Sequence, residues 1–209
     1  MNELIIATKN KGKVQEFEKL LQSDVNKISS LVNKEDERFD VEETGTTFAE
    51  NARLKAEKIA NILQQPVIAD DSGLVIDALN GEPGIYSARY AGEPTNDVDN
   101  NEKVLREMKN TPVEKRTAQF VCVLALAIPR EETKFFTGKC YGHIASLPSG
   151  TNGFGYDPIF IPEGYEQTMA ELPAKVKNTI SHRYHAIKKF QQYLHNIGDF
   201  IESSTNIER

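Results

Sequence analysis

The sequence predicts an α/β protein, and three observations lead there. Leu4-Ile5-Ile6-Ala7 has the pattern of a short buried strand and turns at once into an amphipathic helix carrying Val14, Phe17, Leu20 and Leu21. A second helix, with Phe48, Ala52, Ala56, Ile59, Ala60 and Leu63 on one stripe, ends at Gln64-Gln65-Pro66 and delivers the chain to a strand at Val67. Residues 117–128 are apolar on both faces from Phe120 onward, as a central strand should be, and residues 134–144 follow as a hairpin partner in which Gly138 and Gly142 allow bends or bulges.

Composition narrows the function. With 209 residues, 27% charged and 39% hydrophobic, the chain suits one soluble domain, residues 1–209, large or two-lobed. A net charge of −6 argues against a nucleic-acid partner held through its phosphate backbone. No apolar run approaches membrane-spanning length and no signal-peptide pattern opens the chain, so no membrane partner is expected. Cys122 and Cys140 lie in strand-like segments without metal or thiol-pair spacing, which reads as buried free thiols in a reducing cytoplasm.

The centre of the chain is residues 67–92. After Val67-Ile68-Ala69, read as a strand end, come adjacent carboxylates Asp70 and Asp71, then Ser72-Gly73, then Leu74-Val75-Ile76. Neighbours on a strand face opposite sides, so the two carboxylates cannot be solvated alike, and an inward one needs a cation or a donor. The alternative is that Asp-Asp-Ser-Gly is a polar turn between two strands. Earlier in the chain, Thr8, Lys9, Asn10, Lys11, Gly12 and Lys13 join a strand to a helix start, where free N–H groups favour an anion; a solvated lysine turn is the alternative. Thr47 and Glu50 have capping-box spacing, and Lys55 lies off the apolar stripe of that helix. One of Glu42 and Glu43 could join Asp71 around a divalent cation, or both could be solvated acids ahead of a helix.

Two later segments complete the candidate site. Residues 148–160 hold three glycines in six positions, with Phe154 and Tyr156 offering flat faces to a base and Asp157 set extended before Pro158. A glycine-rich turn with core aromatics is the competing reading. Ser181 caps the last helix, which places His182 and Arg183 at the positive end of its dipole, an unfavourable position unless an anion or an acceptor-rich ligand compensates.

Taken together, Thr8-x-Asn10-x-Gly12-Lys13, Glu42-Glu43-Thr44-Gly45, Phe48-x-Glu50-Asn51-Ala52, Ala69-Asp70-Asp71-Ser72-Gly73-Leu74, Gly84-Ile85-Tyr86-Ser87-Ala88-Arg89-Tyr90, the run from Gly153 to Phe160, Lys177-Asn178 and Ile180-Ser181-His182-Arg183 resemble the inosine/xanthosine triphosphate pyrophosphatase family. They follow the family's order over nearly the whole chain, with Ser149 and Pro173 as slight departures. The resemblance implies a long, bent mixed sheet with two lobes and a cleft between them, a homodimer, and magnesium-dependent hydrolysis of purine nucleoside triphosphates such as ITP, dITP and XTP to the monophosphate and pyrophosphate. By position it makes Asp71 the general base, with Asp70 and Lys55 close by, and Glu42 a metal ligand with Asp71. It assigns residues 8–13, Ser72 and Lys177 to the phosphates. Phe154, Gly155, Tyr156, Asp157, His182 and Arg183 go to the base, where on hydrogen-bonding grounds the Arg183 guanidinium can donate to a purine C6 oxygen. The rivals are a nucleotide sensor without turnover and a pyrophosphatase for modified pyrimidine nucleotides.

Overall fold

Six strands form one curled sheet in the order β2-β1-β3-β4-β5-β6, in a computed structural model that describes residues 3–21, 27–31 and 36–207, with side chains as far as residue 196. β1 (Glu3–Ile6) runs parallel to β2 (Lys27–Ser30) and to β3 (Val67–Ile76). β4 (Thr117–Ala127), β5 (Lys134–Ile144) and β6 (Phe160–Pro162) continue it antiparallel, so the sheet is mixed as the resemblance implies. Parallel neighbours need crossovers, which are supplied by α1 (Lys11–Leu21) and α2 (Phe48–Leu63). α2 starts where its cap predicts: the Thr47 hydroxyl accepts the Glu50 N–H at 3.1 Å. Glu50 in turn reaches back to the N–H and hydroxyl of Thr46, one residue earlier than a simple capping box requires.

The strand alternation divides the core. Val67 and Ala69 of β3, with Val121, Val123 and Ala125 of β4, face α2 through Ala52, Ala56, Ile59 and Ala60. On the other face, Ile68, Cys122 and Leu124 pack against Phe17 of α1 and Ile187 and Phe190 of α5 (His182–Ile207). Further along that face a second core takes over, in which Leu74, Ile76 and Phe120 meet Val104 and Met108 beside α3 (Asp97–Glu107) and Ile159 and Phe160. Asp70 and Ser72 lie on this face at the seam between those two cores. Asp71 lies on the α2 face.

The structure corrects two expectations here. Asp-Asp-Ser-Gly is no turn, for β3 runs unbroken with every residue from Val67 to Ile76 opposite a β4 residue. The carboxylates can stay in a strand because each finds partners on its own face. Gly138 and Gly142 do not bulge either, and their register with Cys122 and Ala118 is regular. They are close-approach positions: a Cβ on Gly138 would lie 2.1 Å from the His182 carbonyl oxygen, and one on Gly142 2.2 Å from that of Ile161.

β1 pairs with β3 only at Val67 and Ile68. Past that point β3 has a free outer edge, apart from a single bridge between Val75 and Pro83, among the described residues. The chain leaving β1 enters α1 beside this edge, the kind of crevice outside a strand's carboxyl end where α/β proteins receive ligands. Among the described residues no helix is long and apolar enough to cross a membrane.

Candidate active site

The two adjacent carboxylates have opposite electrostatic fates. The Asp70 side chain is fully buried, accepts from Lys13 Nζ at 2.8 Å and from the Ser72 hydroxyl at 3.1 Å. Burial alone would raise it, but Lys13, Arg183 and Lys55 prevail and hold it well below the usual carboxylate range. Asp71 takes hydrogen bonds from Asn51 Nδ2 and the Ser72 N–H, both at 3.1 Å, and Lys55 Nζ stands 3.7 Å away. Burial pushes Asp71 up to about 6, with Lys55 opposing and Glu43 adding to the rise. One strand thus carries a permanent anion and a carboxylate tuned toward neutral pH, a pattern that marks acid–base sites.

Two cavities meet at Lys13 and Glu43. The smaller, of about 230 Å³, holds Asp71, Ser72, Phe154, Asp157, His182 and Arg183 on its walls, with Asn10, Gly155, Tyr156 and Lys177 around them. The larger, of about 530 Å³, is lined by Thr8, Lys9, Lys13, Lys55, Glu42 and Glu43 over an apolar floor. Among the sequence-derived candidates, Lys11 is exposed and lines neither cavity, Gly12 borders only a third hollow behind Phe154, and Asp70 lies beneath the floor.

Several of these side chains have surroundings that differ from the expectation. Glu42 is exposed, whereas Glu43 accepts from Lys55 at 2.8 Å and acts electrostatically on Asp71. The partner that the structure brings to Asp71 is therefore Glu43, because residues alternate along the extended segment before α2. A hard, all-oxygen pair that repels itself and holds an ammonium between its members is a donor set suited to a divalent cation such as magnesium. Tyr156 is no stacking platform: it is buried, and its hydroxyl donates to the Ser87 carbonyl at 2.7 Å. Asp157 opens a short 3-10 turn rather than an extended segment. Its Oδ2 accepts from the Phe154 N–H at 2.9 Å and from Lys177 Nζ at 2.6 Å, closing the glycine loop on itself. Lys177, on α4 (Ala174–Ile180), consequently sits 4.9 Å over the Phe154 ring, away from the lysine-lined cavity.

The cations at the start of α5 are compensated by the protein's own groups. Arg183 is paired with Glu16 of α1, lies 3.4 Å from the Ser72 hydroxyl, and is kept charged by Glu16 and Asp70 against the cost of burial. Burial lowers His182 well below its ordinary value, with Arg183 adding to the fall, so it is neutral, and its ring stacks on Phe120 at 4.8 Å. Arg183 Nε and His182 Nδ1 are buried without a hydrogen-bond partner among the described residues. Buried polar atoms left unpaired are costly, and a ligand in the smaller cavity can supply what they lack. Glu16 was missed in the sequence. It follows Gly12 by one helical turn and so faces the glycine loop, and that spacing was the available signal.

Fold and site together define an α/β protein shaped to take an elongated anion with a flat head. The chain matches the Ham1 family over residues 4–193 and belongs to that family. A relative from Oceanobacillus iheyensis, named dITP/XTP pyrophosphatase, is 57% identical over 197 residues, covering 94% of this chain and 100% of its own. One of the same name from Bacillus subtilis is 52% identical, covering 93% and 98%. Among solved structures, the Staphylococcus aureus Ham1 protein superposes with a TM-score of 0.84 at 49% identity, covering 93% and 99%. A HAM1 protein from Coxiella burnetii gives 0.85 at 40% identity, covering 94% and 100%.

Proposed function

We propose that the protein hydrolyses non-standard purine nucleoside triphosphates (ITP, dITP and XTP) to the monophosphate and pyrophosphate, clearing them from the cytoplasmic nucleotide pool. The observation that carries this reading is the position of Asp71. It lines the smaller, aromatic cavity near the junction at Lys13 and Glu43, beyond which the lysines extend. A nucleotide laid with its base on Phe154 and its phosphates toward Lys9, Lys13 and Lys55 presents its α-phosphate near Asp71. Asp71 accepts a proton from the attacking water, the water oxygen bonds to the α-phosphorus, and the bond to the bridging oxygen breaks. The lysines stabilise the growing charge on departing pyrophosphate. Glu43 and Asp71 would hold a magnesium ion, whose contribution is to neutralise phosphate charge and acidify the water.

The base pocket offers donors, Arg183 and Lys177, suited to a purine C6 oxygen. Adenine has an amino group at that position, so a donor would face a donor. Guanine shares the oxygen and differs at C2, where its amino group would be one more donor beside these cations. The homodimer implied by the resemblance belongs to this proposal, and sedimentation analysis tests it.

Pyrophosphate release measured over ITP, dITP, XTP, GTP, ATP and dUTP with magnesium decides the reading. The first three are turned over, and the others remain near background. Binding without release would make the protein a sensor, and preference for dUTP would move it to the pyrimidine class. Arg183→Ala is expected to compress the ratio of ITP to ATP turnover, whereas equal losses on both would assign Arg183 to the fold.

A further inference from the structure

Asn51 is fully buried on α2, and both ends of its amide are used. Nδ2 donates to Asp71 Oδ2 at 3.1 Å, and Oδ1 accepts the Gly45 N–H at 2.8 Å. Gly45 ends the Glu42-Glu43-Thr44-Gly45 segment, so a single side chain joins the loop bearing Glu43 to the strand bearing Asp71. The orientation of the amide follows from its partners: a backbone N–H can meet only the oxygen, which leaves the nitrogen for the carboxylate. Gly45 leaves no slack, since a Cβ there would lie 2.6 Å from Asn51 Oδ1. The contact with Asn51 holds Oδ2 of Asp71, while Oδ1 accepts the Ser72 N–H at 3.1 Å and faces Lys55 Nζ at 3.7 Å.

We propose that Asn51 is a positioning residue for hydrolysis, whose amide holds the Asp71 carboxylate and the Glu43 loop in one fixed relation. This rests on Asp71 being the base. The alternative role is packing alone, and the two predict different kinetics. A packing residue, once replaced, loosens the fold and the nucleotide site together. A positioning residue lowers kcat while nucleotide binding and fold persist, because Asn51 does not line the cavity that holds Phe154, His182 and Arg183.

Two variants disturb the amide from opposite ends. Asn51→Asp keeps size and the acceptor for Gly45 but replaces the donor to Asp71 with another acceptor. Gly45→Ala leaves the Asn51 side chain chemically intact and, from a half-buried loop position, pushes on its Oδ1 and on Glu50 Cβ and Asn51 N at the start of α2. Both are expected to lower kcat by about 10- to 100-fold, the usual effect of losing a group that orients a reacting one. KM for ITP and the calorimetric affinity for inosine monophosphate should stay within about threefold, well short of that loss. The proposal is overturned if Gly45→Ala retains kcat within about threefold of wild type. It is also overturned if kcat, KM and monophosphate affinity decline in parallel, the signature of packing. Asp71→Asn is run beside them. If it stays active, the base assignment is what fails; if it is inactive while Gly45→Ala is normal, the failure belongs to Asn51.

Discussion

Neutralising either of two neighbouring carboxylates should move stability in opposite directions. Asp71 titrates higher folded than unfolded, so its protonated form favours the native state, and stability falls as pH rises from 3.8 through about 6. Above that window the ionised group costs on the order of 1–3 kcal/mol. Asp71→Asn should therefore melt above wild type at pH 8 in chelator, with the advantage gone below about pH 4, while turnover drops by on the order of a hundredfold to ten-thousandfold. Asp70 is depressed, so its contribution is present above the ordinary carboxylate range and is lost only as pH falls through its low folded value. Asp70→Asn leaves Lys13 without its buried counter-ion and should destabilise by about 3–5 kcal/mol at pH 8. Urea titrations of both variants test the contrast, and equal signs would refute it. That the pair must be split was legible from strand alternation alone. Which member is raised was not, because Lys13 and Arg183 reach Asp70 from α1 and α5, far away in sequence.

At the scale of elements, the site depends on how closely α5 seats on β5. With no side chain, Gly138 lets the helix start touch the strand, and that start carries His182 and Arg183. A Cβ there forces the two apart, so Gly138→Ala should cost about 1–3 kcal/mol and raise KM for ITP more than it lowers kcat. Steady-state kinetics and a melting curve measure both; an unchanged KM would show that α5 tolerates the shift. The helices, their caps and the central hairpin were legible because periodicity and capping are local properties. The glycines of β5, expected to allow bends or bulges, serve close approach instead, since what presses on Gly138 is a helix about 45 residues later, and strand composition carries no trace of it. Likewise, the alternation that turns Glu43 inward and Glu42 outward depends on a register that the acidic run Glu42-Glu43 does not disclose.

Across the molecule, chemistry is gathered where β1 stops accompanying β3, with Asp70 and Ser72 at the seam between two cores on one face of the sheet and Asp71 beside α2 on the other. Metal dependence belongs to this scale, because the candidate ligands come from the segment before α2 and from β3. Chelation should abolish turnover, and Glu43→Gln should raise the magnesium requirement by about 10- to 100-fold while Glu42→Gln has little effect. Magnesium titration of activity, with calorimetric binding of the ion alone as a second readout, compares the variants; a dominant Glu42 defect would reverse the assignment. The mixed sheet and its cleft were legible because the motifs occur in order along the chain. The two joined cavities were not, since their walls come together only once β3 is flanked by α1, α2 and α5.

The free edge of β3 has one more consequence. An unpaired strand edge is a template on which another chain can add itself, and long apolar edges lead to aggregation. Here Ser72 N–H is taken by the Asp71 carboxylate, Leu74 N–H by the Ser87 hydroxyl and Ile76 N–H by the Glu82 carbonyl. Charges stand on both sides of the same stretch. The groups proposed for catalysis thus also make this edge a poor partner for a stray strand. A variant that trades Asp70 and Asp71 for valines would lose more than turnover: it would leave a largely apolar free edge from Ala69 to Ile76, and its failure would be seen first as turbidity during refolding.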